Sequence, residues 1–504
     1  MTQELKDPAS TAQARRDSSS SERDRIQLER LGKKPVLKRN FGIWAVLGLS
    51  CTVLGTWEGL LGTFTTSLNN GGSAGAVAPT SGGQYHWCAM LAPNSCMKFL
   101  SYITGWVTVI GWQAGLASSA YLAGSMIQGV AILAHKNYDS KAWQGTLIMW
   151  ACLLVALAIN LAGGKIFPRL EQGILVLHIL GCLAIIMPLV CLADHRSNQE
   201  VFQEFLNSGE FPTQGLSWFV GVSGCAFSFA GGDAVVHMAE EIHNAAIVIP
   251  RAMMLSVLIN GILGFGMLIA MLFSMGDIEV ALNSPTGYPF MEIFYQSTHS
   301  TAGAVVMSTI LITIGIFGVI GILAAASRQF WSFARDRAVP GWRLWVQVSS
   351  STRLPIYSTL LTVAVAWLLA LINIGSGVAL EDILSMAVSG MYLSYLIVSS
   401  LLLYRRCKGD IYGHNDTDGA INVPGARLVW GPFHLPGLLG AIVNAYAVVY
   451  IVIVVFFSFW PPHMMPTVTT MNYSVVGTFG TIILAAVYYL VRARKMYTGP
   501  VLET

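Results

Sequence analysis

The stretch Phe229-Ala230-Gly231-Gly232-Asp233 decides how this chain is read. It interrupts an apolar run, and the part from Trp218 to Ala230 would reach only about 20 Å as a helix rising 1.5 Å per residue. A bilayer core is about 30 Å thick, so the run does not cross as one continuous helix. An ionisable side chain at that depth costs about 3 kcal/mol or more unless it has a partner or a function. Unwound main chain survives in lipid only where its N–H and C=O groups line a polar cavity. A second interruption of this kind, Gly55-Thr56-Trp57-Glu58-Gly59, lies in the first apolar run and again sets a carboxylate beside helix-weakening glycines.

Around these two stretches the chain is unusually apolar. Of 504 residues, 54% are hydrophobic and 11% charged, with a mean hydropathy of +0.59. A water-soluble chain carries about 25% charged residues, which excludes that class. The 50 glycines and 14 tryptophans fit helices that approach closely and are anchored at membrane interfaces. The net charge of +3 is too small for nucleic-acid binding, and the eight cysteines are scattered, without a disulfide framework or a CxxC pair. Residues 1–40 are polar, carry the run Ser18 to Ser21, and read as a disordered tail; 41–495 read as the membrane domain and 496–504 as a second tail.

Apolar runs of membrane-spanning length fall near 41–68, 98–133, 144–163, 172–193, 216–243, 252–274, 302–327, 356–376, 383–404, 435–459 and 474–492, eleven in all. They are too long and too little alternating for a β-barrel, so the expected fold is an all-α integral membrane bundle. Connections on one side carry Lys33, Lys34, Lys38, Arg39, Lys165, Arg169, Arg251, Arg328, Arg335, Arg337, Arg343, Arg353, Arg405, Arg406, Lys408, Arg427, Arg492, Arg494 and Lys495. The other side has Lys136, Lys141 and Arg196, so the positive-inside rule places both tails in the cytoplasm. Two cytoplasmic termini need an even number of crossings. Gly71 to Pro93 is too polar and glycine-rich to span, so one crossing is missing between Gly75 and Pro79. Broken helices at matching places in two halves point to an inverted-repeat transporter. With five helices per repeat the breaks belong in the first and sixth, and here they fall in the first and fifth, which locates the same deletion.

Several motifs carry a resemblance. Ser81-Gly-Gly-Gln-Tyr-His-Trp87, Gly231-Gly-Asp-Ala-Val-Val-His-Met-Ala-Glu-Glu241 with Pro250-Arg251, and Ala326-Ser-Arg-Gln329 with Phe333-Ala-Arg-Asp-Arg337 are similar to those of amino acid–polyamine–organocation permeases. Together they resemble the fungal amino acid/choline transporter family, over residues 33–495. The resemblance implies a LeuT-like five-plus-five inverted repeat followed by two further helices. It also implies secondary transport of a small amine or amino acid, with a proton as coupling ion and a multi-pass home in the plasma membrane. Family members carry a full second helix where this chain has Ala76 to Ala78, so a transport-dead or regulatory product is the competing expectation.

The residues themselves suit those roles. Freed amides around Gly55, Thr56, Trp57, Glu58 and Gly59 suit a substrate carboxylate, and carbonyls around Phe229, Ala230, Gly231 and Gly232 suit an ammonium group. Glu58 repels an anion and attracts a cation, while Trp57, Trp106 and Trp112 offer cation–π faces. That balance favours choline or a related amine over γ-aminobutyrate or a neutral amino acid. Asp233 and His237 share one helical face, with Glu240 or Glu241 a turn further on, and form a candidate proton route. Glu240 and Glu241 are also placed to pair with Arg251 or Arg328 as an inner gate. Between Asp277 and Ser300, Met291 to Tyr295 is expected to form a short helix over the cavity mouth. No nucleophile–base pair, metal cluster or nucleotide loop falls within the spans, so neither an enzyme nor a cofactor is expected.

Overall fold

The computed structural model describes residues 34–62, 84–375, 379–413 and 427–501, apart from 35, 136, 163–165, 204, 432, 433 and 469. Helices α1 (Ile43–Leu54) and α2 (Thr56–Gly62) form the first span. A short α3 (Tyr85–Leu91) leads into α4 (Met97–Ala134), α5 (Ala142–Ala162) and α6 (Ile166–Leu192). The second half runs through α7 (Gln214–Phe227), α8 (Ala234–His237), α9 (Ala245–Phe273), α10 (Ile278–Leu282) and α11 (Pro289–Thr298). It continues with α12 (Thr301–Arg335), α13 (Ile356–Ala370) and α14 (Ala379–Lys408), and α15 (Gly437–Ser458) and α16 (Ser474–Val491) follow.

Among the described residues ten spans are long and apolar enough to cross a membrane. They match ten of the eleven runs read from the sequence. The eleventh, 216–243, is broken into α7, a turn from Ser228 to Asp233, α8 and a 3-10 turn at Ala239–Glu241, so no continuous helix of crossing length exists there. The stretch where a crossing is expected to be missing lies at 63–83, outside the described residues, as does the expected tail up to residue 33.

Large apolar side chains such as Met187, Ile262, Leu438 and Leu484 are more than half exposed, as on a surface solvated by lipid tails. Inside, helices meet through small residues. The long helices α4 and α14 cross at Gly111 and Gly390, where a Cβ on Gly390 would come within 2.7 Å of the Gly111 main chain. The first span is the most buried of the ten and α15 and α16 are the least, which sets the last two helices at the periphery.

Both tails are docked where they are described. Asn40 and Phe41 donate N–H bonds to the Glu241 carbonyl (2.9 and 3.1 Å), so the segment before α1 lies against the 3-10 turn. Tyr497, within the expected second tail, is fully buried, and its hydroxyl bonds that of Ser101 at 2.6 Å. Val501 N–H reaches Asp336 Oδ1 at 3.0 Å.

Candidate substrate cavity

The first break is one residue long. Gly55 closes α1 in the left-handed region (φ 47°, ψ 44°), a conformation a Cβ disfavours, and α2 starts at the next residue. A continuing helix would bond the Thr56 N–H to the Thr52 carbonyl; here it donates to Asn260 Oδ1 on α9 at 3.0 Å. The Thr52 carbonyl instead faces Gly318 of α12, where an added Cβ would approach it to 3.3 Å. The kink rotates α2 so that Thr56 packs on Gly264 and Trp57 turns to His178 of α6, with ring centroids 5.8 Å apart. Glu58 lies on the cavity wall. Its Oε1 is 2.6 Å from His178 Nδ1, while Oε2 is buried with no protein partner.

The second break is longer. After α7 the chain proceeds by tight three-residue steps, with Phe229 N–H bonded to the Ala226 carbonyl, Ala230 to Phe227 and Ala234 to Gly231. Gly231 sits at φ 87°. Asp233 is fully buried, and each of its carboxylate oxygens accepts a hydrogen bond. Tyr395 O–H donates to its Oδ1 at 2.6 Å and Gln84 Nε2 to its Oδ2 at 2.8 Å, with His237 Nε2 at 3.3 Å.

A cavity of about 90 Å³ lies between the two breaks. That is smaller than the few hundred Å³ of a drug-sized site, so it fits a small solute. Of the expected binding residues, Gly55, Glu58, Gly59, Trp112, Ala230 and Gly231 line it, whereas Thr56, Trp57, Phe229 and Gly232 do not. Trp106 is also elsewhere, beside Phe333 at 6.0 Å. The remaining wall is mostly apolar or small, including Leu122, Met126, Phe227, Met391 and Gly315, with Ser119 and Ser228 as hydroxyls. Trp112 connects the cavity to the acid, since its ring meets that of His237 edge-on at 5.2 Å.

At the Arg-rich end of the molecule the expected gating residues form ion pairs. Arg328 Nε donates to Glu241 Oε1 at 2.8 Å, with both side chains nearly inaccessible, and Arg335 Nη1 donates to Glu240 Oε1 at 2.8 Å. Removing one partner of such a buried pair leaves an uncompensated charge worth about 3–5 kcal/mol. Arg251, the other expected partner, stays exposed on α9. At the opposite end the short helix expected from Met291 to Tyr295 forms as part of α11. Its Phe290, Met291 and Phe294 are buried in one cluster with the cavity residues Leu122 and Met126.

His178, Asn260, Gln84 and Tyr395 are the site residues that sequence reasoning missed. A signal existed for His178, which shares the buried stripe of α6 with Glu171, Ile174, Leu175 and Cys182. Asn260 and Tyr395 give no such sign within their apolar runs.

Ten spans of crossing length, with two interrupted segments facing one small cavity, define a multi-pass membrane carrier. The comparisons agree: the family model described as amino acid permease matches residues 45–482, and the chain belongs to that family. It is 28% identical to an uncharacterised amino-acid permease of Schizosaccharomyces pombe, over 94% of this chain and 89% of the relative. It is 27% identical to the choline transporter of Saccharomyces cerevisiae, over 92% and 83%, and 26% identical to amino-acid permease 2 of Neurospora crassa, over 96% and 90%. These relatives are transporters rather than enzymes.

Proposed function

We propose that this permease carries choline or a similarly small amine across the plasma membrane, coupled to protons, by alternating access. The observation that carries the reading is Glu58. One of its oxygens is held by His178, and the other is buried at the cavity wall without a protein donor. A bound cation would supply the missing partner, with the Trp112 face beside it. The Thr56 amide, released by the kink, already has a partner in Asn260 and is not free for a substrate carboxylate. A quaternary ammonium alcohol meets these conditions, and an amino acid brings a carboxylate into a wall that carries one already.

In this reading Asp233 and His237 handle the proton next to Trp112. The pairs Arg328–Glu241 and Arg335–Glu240 are the inner gate, and Asn40 and Phe41 press on it through the Glu241 main chain. A permease for γ-aminobutyrate or a neutral amino acid is the second reading, favoured by the relatives named as amino-acid permeases.

The test is uptake of labelled choline by cells expressing the chain. Glu58→Gln keeps the shape and removes the charge, and loss of a buried charged partner is worth about 2–5 kcal/mol, or about thirtyfold and upward in apparent affinity. Uptake is expected to vanish while surface labelling of the protein stays normal. Undiminished uptake at every pH would remove Glu58 from the mechanism, and stronger competition by γ-aminobutyrate than by unlabelled choline would favour the second reading.

A further inference from the structure

One buried carboxylate takes no part in the site described above. Glu171 lies on α6, on the same face as His178 and seven residues before it, about 10 Å along the axis. It is fully buried, and neither carboxylate oxygen has a hydrogen-bond partner. Three helices enclose it. On α1, Gly48 rests directly on the Glu171 main chain; on α12, a Cβ added to Gly321 would sit 4.0 Å from its Oε1. Thr52 of α1 is the polar side chain that approaches the carboxyl.

The charges around it do not balance an anion. The nearest cation on α12, Arg328, lies seven residues beyond Gly321 and is engaged by Glu241, Ser327 and Asn160. Of the other elements packed on α6, α1 brings Cys51, which packs against Leu175 and not the carboxyl. Helix α9 carries Arg251, which is exposed, and α11 carries Glu292 at the far end of α6. Helix α5 contributes Asn160, a neutral side chain bonded to the Ile320 carbonyl. On α6 itself Arg169 is exposed and His178 is held by Glu58.

Thr52 shows what the site accepts. Its hydroxyl donates to the Gly48 carbonyl at 2.6 Å, so its single proton is already engaged. It has no second proton to give Glu171, so the carboxyl is left without a donor. An isolated carboxylate in such surroundings is strongly unfavourable, whereas the carboxylic acid carries no charge.

We propose that Glu171 is a proton-binding site that locks α1 against α6 and α12. The inference rests on the proton-coupled carrier reading and adds a group to it. The closed arrangement of the first broken helix selects the protonated acid; when α1 swings away, water reaches the carboxyl and the proton leaves. The same movement opens the cavity on the Gly55 side, so proton and substrate are released by one displacement. His178 braces α2 beyond the kink and Glu171 braces α1 before it, and both act from one face of α6.

Two measurements on the purified full-length protein test this. In the infrared, wild type at neutral pH is expected to show a carboxylic-acid C=O band that is absent from Glu171→Gln. Glu171→Asp, which keeps the acid, is expected to retain the band at a shifted frequency. No band lost in Glu171→Gln, or a band absent or unshifted in Glu171→Asp, overturns the proposal, and the second variant decides the matter if the first is not recovered folded.

In reconstituted vesicles a pH difference of one unit can sustain about tenfold accumulation per proton. Glu171→Gln is expected to keep exchange of labelled choline within about threefold of wild type, under 1 kcal/mol, and to lose that accumulation. Accumulation retained in Glu171→Gln also overturns the proposal. If wild type exchanges neither choline nor γ-aminobutyrate, it is the function proposed above that fails, while the infrared band still decides whether Glu171 holds a proton.

Discussion

The two broken helices of this permease solve one problem in different ways. The first is kinked at a single residue, Gly55, and its loosened amide is taken at once by Asn260 of α9. The second is open from Ser228 to Asp233 and is held by its acid, through Gln84 before α3 and Tyr395 of α14. Helix α9 is the helix that follows the second break, so each half of an inverted repeat is expected to brace the break of the other. Its counterpart after the first break would be the crossing expected to be missing between Gly75 and Pro79, which lies outside the described residues. The first break is therefore a stiff elbow that presents Glu58, and the second is a longer main-chain segment that depends on a polar anchor.

The strongest way to break this comparison is to supply the absent brace. Inserting an apolar segment of about 20 residues after Gly75, enough to cross the core, is expected to raise choline uptake per surface molecule by about tenfold or more, the equivalent of 1.4 kcal/mol. Equal uptake with and without the insert would show that the second break needs no helix beyond those the chain already has. A smaller effect is expected from Asp233→Asn. The amide keeps an acceptor for Tyr395 but turns a donor toward Gln84 Nε2, and a buried polar group left unsatisfied costs about 1–3 kcal/mol, so uptake should fall by about tenfold to a hundredfold. A flattened pH profile of the remaining uptake would mark Asp233 as part of the proton route. An unchanged profile with lower rate would make it an anchor only.

Both breaks were legible from sequence because glycine beside an acid inside an apolar run has few structural excuses. Ten spans followed from hydropathy alone, and the interruption at Gly231-Gly232-Asp233 accounts for the eleventh. What lay beyond reach was rotation and long-range pairing. Thr56, Trp57 and Glu58 are consecutive, and which of them faces the cavity depends on the left-handed turn at Gly55. A kink of that size sends the Thr56 side chain to α9 and those of Trp57 and Glu58 to His178 of α6. Trp57, expected at the cavity, goes to His178, while the Thr56 side chain packs on Gly264 and only its main-chain N–H reaches Asn260. Tyr395 and Asn260 meet partners 162 and 204 positions away, with no local pattern announcing the contact. The docking of residues 36–41 and 496–501 escaped for the opposite reason: both stretches are too short to show a periodic pattern, and only the surface offered by the folded bundle orders them.

The least disruptive change is also the most discriminating for the elbow. Asn260→Ala removes the acceptor that takes the Thr56 N–H, and the loss of one such bond is worth about 1 kcal/mol, or about fivefold. Because α2 keeps its packing on Gly264 and its pairing through Glu58, the expected result is a modest rise in KM for choline with little change in maximal rate. The informative readout is selectivity. With its partner gone the Thr56 amide is free to meet a carboxylate, so uptake of γ-aminobutyrate should rise relative to choline. Asn260→Asp, which keeps an acceptor at that position, should hold the original ratio. If alanine leaves the ratio where it was, the Thr56 amide is not what keeps carboxylates out, and the exclusion rests on the charge of Glu58 alone.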